Sequence, residues 1–425
     1  MFDRARKVFP GGVTRASIAM DPHPLYAVSG DGCRLQFLDG HAAIDFHNNF
    51  TSLVLGHRHP SVMKAVQEQL ERGVVLGSPT PGEVELAEEL MSRMPSAERL
   101  IFATTGSEAV MVGLRVARTI TGREGVAKFE GGYHGGYDHA KVSGMVDPER
   151  WGNSLEPAGV PDTAGLPEDT TRQVHIMGFN NLASVEQVLD RHRRQIGVLV
   201  MEPVLGVGGL IPPEPRFLDG VRALCDQHGV LLLFDEVITM RLGKGGAQEY
   251  YGVIPDLFVG SKVLASGFPI SILAGRADLM EVLDRTTPRG RPVYHSGTYN
   301  ANPLSVAASL ATLSEFNDSL IAHLNYLGDL ARRRLLDLFT DRAVPMTVTG
   351  VGSLFNVHFA SDPPKDYRGA RLADQSRLRE FHRRMLASGV YLASRGLGCI
   401  SAPMTEAEID VLVATTEDVI DDMVP

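Results

Sequence analysis

Between residues 83 and 274 the chain alternates two kinds of segment, and this alternation limits the folds it can adopt. Short apolar runs rich in β-branched residues are separated by Gly or Pro breaks and by stretches with helical periodicity. Such a pattern predicts an α/β fold with a mainly parallel sheet. The predicted strands cover residues 99–103, 125–129, 196–201, 229–234, 257–259 and 270–274. The predicted helices include residues 83–94, 107–119, 182–192 and 216–228.

The two ends of the chain show a different pattern. Residues 30–46, "GDGCRLQFLDGHAAIDF", have the Gly-punctuated alternation of a short meander. From about residue 304 onward, charged amphipathic stretches surround "GVGSLFNVHF". We therefore expect a large domain over residues 51–305 and a smaller α+β domain that combines residues 1–50 with residues 306–425.

Composition narrows the class of function. There are 41 Lys and Arg against 51 Asp and Glu, a net charge of −10, with no basic run, which argues against a nucleic-acid partner and favours a small-molecule substrate. No apolar run reaches the roughly 18 residues of a membrane span. The N-terminus, "MFDRARKVFPGGV", lacks the apolar core of a secretory signal. We expect a cytoplasmic protein.

The cysteines and histidines favour neither a disulfide framework nor a metal site. Cys33, Cys225 and Cys399 form no CxxC pair, which suits a reducing compartment. His57 and His59 in "GHRHP" have no evident third ligand, so we expect a turn there rather than a metal site.

Two adjacent carboxylates end the apolar run "LLLFDEVITM". Burial of an unpaired carboxylate is costly, so Asp235 at this strand end needs a cationic partner. In parallel sheets, ligands gather at the carboxyl ends of the strands. Asp235 is therefore a candidate ligand-binding residue.

The stretch "FATTGSEAVM" places Thr104, Thr105, Gly106 and Ser107 between a predicted strand and a predicted helix. Backbone N–H groups at such a helix start form an anion site that suits phosphate. A Ser N-cap with Glu108 in the first turn explains the same residues equally well.

Two further segments carry candidate cofactor residues. "KFEGGYHGGYDH" presents Tyr133 and His134 among glycines, although an aromatic in such a loop is more often a packing residue. "FVGSKVLASGFP" places Lys262 at another strand end, where a single Lys is usually only solvated. A phosphate site, an aromatic face, a buried carboxylate and a strand-end lysine together indicate pyridoxal 5′-phosphate (PLP), bound to Lys262 as a Schiff base with Asp235 against its ring nitrogen.

At this point the sequence resembles the class III aminotransferases of PLP fold type I, in the branch of glutamate-1-semialdehyde aminomutase and the β-amino-acid transaminases. The resemblance spans nearly the whole chain, and the order and spacing of its motifs make it specific. The motifs are "FPGGVTR", "LGHRHPSV", "TTGSEA", "GGYHG", "MEPV", "DEVIT", "GVIPDLFVGSK", "HSGTYNANPLSVAAS" and "TEAEIDVLVA". The resemblance implies a large domain with a seven-stranded, mainly parallel sheet.

The family pattern implies roles for individual residues. Lys262 binds the cofactor and moves the substrate proton, and Asp235 binds the ring nitrogen. Val237 lies on one face of the ring and Tyr133 on the other. Thr298 reaches the phosphate in the neighbouring subunit, which implies a homodimer. The full set of implied cofactor residues is Thr105, Gly106, Ser107, Tyr133, His134, Asp235, Val237, Lys262 and Thr298.

Other residues are less certain in role. Glu202 in "MEPV" either touches the cofactor or orders the site, and the second is favoured. Relatives usually have glycines where this chain has Ser261, Ala265 and Ser266, and added side chains there could narrow the pocket or retune the reaction.

The fold hosts several reactions, so residues on the substrate side must decide between them. Semialdehyde aminomutases typically carry an acidic residue in the stretch equivalent to "YLASRGLGCIS", where this chain has Arg395, as the β-amino-acid transaminases do. A planar guanidinium binds a carboxylate through two hydrogen bonds. Arg15 in "GGVTRAS" is a second candidate, and Arg241 is expected to be structural. A surface ion pair is the alternative for each arginine.

We therefore predict a PLP-dependent aminotransferase that exchanges an amino group between an amino acid, with β-amino acids favoured, and a 2-oxo acid by a ping-pong mechanism. The alternative is intramolecular amino transfer, as in glutamate-1-semialdehyde 2,1-aminomutase. A different class of alternative is a binding or assembly protein that keeps the fold without the cofactor.

Overall fold

The computed structural model describes residues 1–286 and 292–423. Strands appear along the whole described chain. In chain order they are β1 (Ala27–Asp31), β2 (Arg34–Phe37), β3 (Ala42–Asp45), β4 (Arg99–Ala103), β5 (Gly125–Phe129), β6 (Val174–Met177), β7 (Ile196–Met201), β8 (Leu231–Asp235), β9 (Leu257–Gly260), β10 (Ser271–Gly275), β11 (Thr347–Thr349), β12 (Leu354–His358), β13 (Val390–Tyr391) and β14 (Leu397–Cys399).

The helices alternate with these strands and extend both ends of the chain. They are α1 (Phe2–Arg6), α2 (Asn48–Thr51), α3 (Pro60–Arg72), α4 (Pro81–Arg93), α5 (Gly106–Thr121), α6 (Glu168–Arg172), α7 (Leu182–Arg191), α8 (Phe217–His228), α9 (Gly246–Tyr251), α10 (Ala277–Met280), α11 (Pro303–Glu315), α12 (Asp318–Asp341), α13 (Tyr367–Leu372), α14 (Gln375–Ala387) and α15 (Glu406–Met423). None of these helices is long and apolar enough to cross a membrane.

A seven-stranded sheet forms the centre of the molecule, in the order β4-β10-β9-β8-β7-β5-β6. The strands from β9 through β6 pair in parallel. Of the other two strands, β10 is antiparallel to both of its neighbours, β4 and β9. Every residue of β5, β7, β9 and β10 is buried, as expected for a sheet covered on both faces. The predicted α/β fold with a mainly parallel sheet is confirmed.

All six predicted strands and all four predicted helices exist, with shifts of at most two residues at either end. The sequence reading missed β6, which is only four residues long and contains the polar His175. It lies at the edge of the sheet, where it pairs with a neighbouring strand on one side only. Its apolar sequence pattern is therefore weaker than that of a central strand.

Helix α5 packs tightly on the sheet and brings its first turn to the carboxyl edge. A Cβ added at Gly113 in this helix would lie 2.6 Å from Leu233 Cδ1 of β8, so only glycine allows this approach. Thr105 caps the helix N-terminus and Gly122 ends it in a left-handed conformation.

The two chain ends meet in a separate four-stranded sheet of order β1-β2-β3-β13. The first three strands form the predicted antiparallel meander. β13, from the C-terminal region, then pairs in parallel with β3, with Val390 opposite Ile44 and Tyr391 opposite Asp45. A third sheet, of order β11-β12-β14, is built from the C-terminal part of the chain. The predicted boundaries at residues 50 and 305 stay predictions, since one hydrophobic core runs from Ile44 through Phe234 to Leu412.

Candidate active site

The carboxylates of Asp235 and Glu236 point to different places, because successive side chains of a strand leave on opposite faces. Asp235 is the last residue of β8 and is 4% exposed. Its Oδ2 accepts a hydrogen bond of 2.9 Å from His134 Nδ1, and its Oδ1 accepts one of 3.2 Å from the Val237 backbone N–H. Glu236 instead accepts hydrogen bonds from the Ala247 backbone N–H and from Gln248 Nε2 in α9.

His134 holds the carboxylate of Asp235 in position. Burial lowers the pKa of this histidine, and the hydrogen bond to Asp235 only partly opposes that shift. The contact orients the carboxylate toward the His134 ring. Within the described residues, His134 is the only basic side chain within salt-bridge distance of Asp235. A protonated ring nitrogen would complete the pairing that this buried carboxylate needs.

Lys262 starts a 3₁₀ turn immediately after β9 and adopts φ +51°, a left-handed conformation that is strained for a residue with a Cβ. Burial lowers the pKa of its amine to about 8, although the charges of Glu202 and Asp235 act to raise it. At pH 7 about a tenth of this amine is therefore uncharged, far more than for an ordinary lysine. An uncharged amine is what a nucleophilic or proton-accepting lysine requires.

The sequence predicts two features for "TTGSE" at the start of α5, a helix N-cap and an anion site. Thr105, rather than a serine, is the N-cap: its Oγ1 accepts from the Glu108 N–H at 3.3 Å. The Glu108 carboxylate accepts in turn from the Thr104 and Thr105 N–H groups. The first N–H groups of a 16-residue helix, which include Gly106 and Ser107, point away from the helix body. The cap is therefore compatible with the predicted anion site, which stays a prediction.

Two glycines allow other chain segments to reach this helix start. A Cβ at Gly106 would lie 2.9 Å from Val237 Cγ2, so Val237 packs against the first turn. A Cβ at Gly135, where φ is +116°, would lie 2.3 Å from Ser107 Oγ. The Gly136 N–H donates to the same Oγ at 3.2 Å. The loop that follows β5 is thereby attached to the helix start.

The same loop presents Tyr133, which is half exposed to solvent. Its backbone N–H donates to Glu202 Oε1 at 3.3 Å, and Lys141 Nζ lies 4.9 Å from the centre of its ring. Lys128, which the sequence reading did not single out, supports this loop from inside: its buried Nζ donates at 2.8 Å to the carbonyls of Gly132 and Val142. The signal that could have identified it is a lysine inside an otherwise apolar strand.

Glu202 lies behind Tyr133. Besides the Tyr133 N–H, its carboxyl group accepts from the Gly206 N–H at 2.7 Å. Burial, with the nearby negative charge of Asp235, raises the pKa of Glu202 to about 8. These contacts favour the interpretation that Glu202 orders the site.

These residues fit PLP on three observations. Asp235 is a buried carboxylate that lacks a full cationic partner. Lys262 carries an amine whose pKa is lowered to about 8. The start of α5 offers N–H groups for phosphate, while Val237 and Tyr133 supply an apolar and an aromatic surface. In this arrangement Asp235 would bind the ring nitrogen, Lys262 the aldehyde carbon, and Gly106 and Ser107 the phosphate.

The added side chains around Lys262 find partners within the protein. Ser261 Oγ donates to the Ile270 carbonyl at 2.8 Å, and Ser266 Oγ lies 3.2 Å from Thr312 Oγ1 of α11. Ala265 is fully buried. These contacts do not favour the expectation that the added side chains narrow the pocket.

Thr298 is exposed, in the segment that leads to α11. Asn300 in the same segment accepts a hydrogen bond of 3.3 Å from Thr104 Oγ1, two residues before the start of α5. The predicted contact of Thr298 in a partner subunit is untested in a single chain.

Two arginines are the predicted substrate-binding residues, and the region around them is called the entrance. Arg395, in the turn between β13 and β14, places Nη2 3.2 Å from Met145 Sδ, and its charge lowers the pKa of Tyr133 against the larger effect of burial. Arg15 donates to Asn49 Oδ1 at 3.1 Å. Neither guanidinium pairs with a carboxylate of residues 1–286 or 292–423. The surface ion pair considered for each arginine is therefore absent from this part of the chain.

Arg241 has contacts of another kind, since its side chain is fully buried. It donates to Ser353 Oγ at 2.8 Å, to the Thr51 carbonyl at 3.3 Å and to the Ile400 carbonyl. The guanidinium thus joins three chain segments, as a structural role requires. One of them is α2, a single left-handed turn in which all residues from Asn48 to Thr51 have positive φ. The Asn-Asn pair, which tolerates this conformation, is the sequence signal for it.

Comparison with known proteins places the chain in one group. Residues 17–412 match the family described as "Aminotransferase class-III". A glutamate-1-semialdehyde 2,1-aminomutase of Methanothermobacter thermautotrophicus is 38% identical over 99% of this chain and 98% of its own length.

Solved structures also match this chain over nearly its full length. An omega-transaminase from Sphaerobacter thermophilus has a TM-score of 0.95 at 36% identity and covers 99% of this chain and 96% of its own. A beta-phenylalanine aminotransferase from Variovorax paradoxus has a TM-score of 0.89 at 32% identity, over 99% of this chain and 93% of its own.

Proposed function

The chain belongs to the class III aminotransferase family, and from this premise we propose that it transfers an amino group between an amino acid, preferably a β-amino acid, and a 2-oxo acid in a ping-pong reaction. The family is PLP-dependent, and its substrates are small amino and oxo acids. The observation that carries the proposal is Arg395, an unpaired guanidinium near Tyr133 at the site entrance. It suits the carboxylate that both kinds of substrate carry.

When bound, PLP supplies an electron-withdrawing ring that makes a proton on the amino-bearing carbon removable. The protein's own residues then have distinct tasks. Asp235, held by His134 and the Val237 N–H, directs its carboxylate to the ring nitrogen position. Lys262 Nζ accepts the proton of the amino-bearing carbon, which its lowered pKa of about 8 permits at neutral pH.

The rival within the family is intramolecular amino transfer. The observation that favours it is the 38% identity to proteins described as glutamate-1-semialdehyde 2,1-aminomutase. A β-phenylalanine aminotransferase at 32% identity, together with Arg395, supports the transaminase. Because Lys262 and Asp235 would act alike in both reactions, only product analysis separates them.

A spectral titration tests the proposal. The purified protein with PLP is mixed separately with α-alanine, β-alanine, β-phenylalanine and glutamate in the absence of any oxo acid, and the visible band of the bound cofactor is followed. Loss of the band with release of one oxo acid per site is the expected result for a β-amino acid. A band that survives every donor, or returns without an oxo acid, would overturn the transaminase in favour of the aminomutase.

A homodimer and a cytoplasmic location stay part of the proposal. Exposed apolar and aromatic side chains support an interface near the Thr298 segment, at Val74, Val75, Leu76, Tyr294 and Tyr299. Light scattering of the purified protein tests the dimer. Thr298→Ala should weaken PLP binding only if a neighbouring subunit uses this hydroxyl.

A further inference from the structure

Lys128 is a buried cation inside β5. Its side chain is fully buried, and Nζ donates to three backbone carbonyls of the following loop, those of Gly132 and Val142 at 2.8 Å and that of Ala140 at 3.5 Å. An ammonium group has three N–H donors and no lone pair, so a set of three acceptors matches the charged form. Burial lowers the pKa of this lysine to about 8, which leaves most of it protonated at pH 7. The protein therefore holds a positive charge at this place.

No carboxylate neutralises this charge at close range. Among the described residues, Lys128 takes part in no ion pair, and its hydrogen bonds go to backbone carbonyls. Besides burial, the charges of Asp162 and Glu202 act on its pKa. Asp162, however, accepts hydrogen bonds from the Gly144 and Met145 N–H groups. Glu202 stays mostly protonated at pH 7, because burial raises its pKa to about 8. The field of Lys128 therefore acts on its other neighbours.

One of these neighbours is the imidazole of His134. A Cβ built on Gly132 would lie 3.1 Å from His134 Nε2 and 3.8 Å from Lys128 Cε, so this ring nitrogen and the end of the lysine side chain flank the same glycine. His134 Nε2 is buried and has no hydrogen-bond partner among the described residues, whereas Nδ1 of the same ring lies 2.9 Å from Asp235 Oδ2. Buried polar atoms are normally satisfied, so the unpartnered side of the ring calls for a physical reason.

Two arrangements of protons fit the distance between His134 and Asp235. In the first, Nδ1 carries the ring proton and donates to a charged carboxylate, and Nε2 has a lone pair. In the second, the carboxyl group is protonated and donates to Nδ1, and Nε2 carries an N–H. A nearby cation attracts a lone pair and repels an N–H, so the charge of Lys128 favours the first arrangement. A buried N–H without an acceptor is also costly, which disfavours the second.

We propose that Lys128 is a positioning residue for the cofactor: its charge beside His134 Nε2 keeps the ring proton on Nδ1 and the carboxylate of Asp235 ionised. Lys128 thus acts through His134 rather than on PLP itself. The inference rests on the proposed place of the cofactor ring nitrogen at Asp235, and it holds equally for transamination and for intramolecular amino transfer. Its consequence is that a charge inside β5 strengthens the binding of PLP.

The ring proton of His134 is directly observable. The protein is produced with isotope-labelled histidine, loaded with PLP and studied by NMR, in which protonated and bare ring nitrogens have well-separated frequencies. His134→Asn identifies the signals of this ring by their loss. We expect a protonated Nδ1 and a bare Nε2 in the wild type at pH 7. A proton on Nε2 would overturn the inference, and this result needs no variant of Lys128.

Cofactor affinity tests the part that Lys128 takes. Lys128→Met removes the charge at nearly equal length and should raise the dissociation constant of PLP about tenfold, because Asp235 loses part of its ionised population. In the His134→Asn background the same substitution should change that constant less than about twofold, since an amide N–H donates to Asp235 whatever charge lies behind it. Equilibrium dialysis of the four apoproteins measures the constants. Lys128→Gln, which can still donate to the loop carbonyls, repeats the test if Lys128→Met does not fold.

Lys244→Met, at an exposed lysine, is the matched control, and the melting temperature of each variant establishes that it is folded. Equal weakening of PLP binding by Lys128→Met in both backgrounds would show a role in holding the loop alone and would overturn the inference. An unchanged constant in the wild-type background would overturn it as well. If NMR and dialysis give the expected results while every amino donor fails in the spectral titration, the proposed function fails and this inference stands.

Discussion

The residues placed to hold the cofactor and those at the entrance differ in how firmly the protein anchors them. Asp235 and Glu202 are buried at the carboxyl edge of the central sheet, and each accepts two hydrogen bonds from the protein. Arg15 and Arg395 are exposed on terminal segments, and each makes a single polar contact. A permanently bound group suits the rigid region. Unpaired guanidiniums suit a place that must receive two substrates in turn.

The largest effect in the rigid region is expected when Lys262 is replaced. Lys262→Ala should lower amino transfer by about 10²- to 10⁴-fold or more, because no other group takes the proton at this position. Steady-state kinetics measures the loss, and borohydride followed by peptide mapping should no longer attach the cofactor. Lys244→Ala, at an exposed lysine, is the control. Borohydride labelling of another lysine in the wild type would contradict the assignment.

The adjacent carboxylates allow a matched test of the rigid region. Asp235→Asn should raise the dissociation constant of PLP by roughly 10- to 100-fold, since it removes a charged partner of the ring nitrogen. Glu236→Gln, one residue on but directed to α9, should leave that constant within about threefold and act on the melting temperature instead. Equilibrium dialysis of the apoprotein measures both constants. Equal effects of the two substitutions would argue against the role of Asp235.

Arg395→Gln should sharpen the contrast between the two regions. Arg395 lies at the entrance, so its replacement should weaken substrate binding more than PLP binding. We expect KM for a carboxylate-bearing donor to rise about tenfold while the PLP dissociation constant stays unchanged. Arg395→Lys should recover part of the loss, since it restores charge without the planar fork. Arg172→Gln, which loses only exposed ion pairs with Glu168 and Asp169, is the control. An unchanged KM would remove Arg395 from the substrate site.

A pH dependence of similar size to the Arg395 effect is expected for Lys262. The pKa of Lys262 is lowered to about 8, below its ordinary value of 10.5, so the amine loses its proton as pH rises through about 8. Capture of added PLP by the apoprotein should therefore accelerate about tenfold between pH 7 and 9 and then level off. Stopped-flow absorbance follows this rate. A rate that keeps rising toward pH 10.5 would show an ordinary lysine.

Sequence patterns predicted the framework of the molecule because apolar periodicity is a local property. The alternation of strands and helices placed Asp235 and Lys262 at strand ends, and the structure has both there. The antiparallel direction of β10 could not be predicted, since direction depends on the strands on either side.

Contacts between distant residues account for most of what was missed. His134 and Asp235 are 101 residues apart, so no local pattern announces their hydrogen bond. Likewise, the role of Lys128 depends on where the loop carbonyls of Gly132 and Val142 lie.

The pairing of β3 with β13 has a consequence for the synthesis of the chain. Ile44 in β3 cannot pair with Val390 until the ribosome has added about 350 more residues. At a synthesis rate of about 5–20 residues per second, this takes tens of seconds. The central sheet can collapse during this interval, whereas the edge of β3 stays open. A nascent chain therefore acquires its cofactor region well before its entrance, and the open edge of β3 is where a chaperone or a stray strand would bind first.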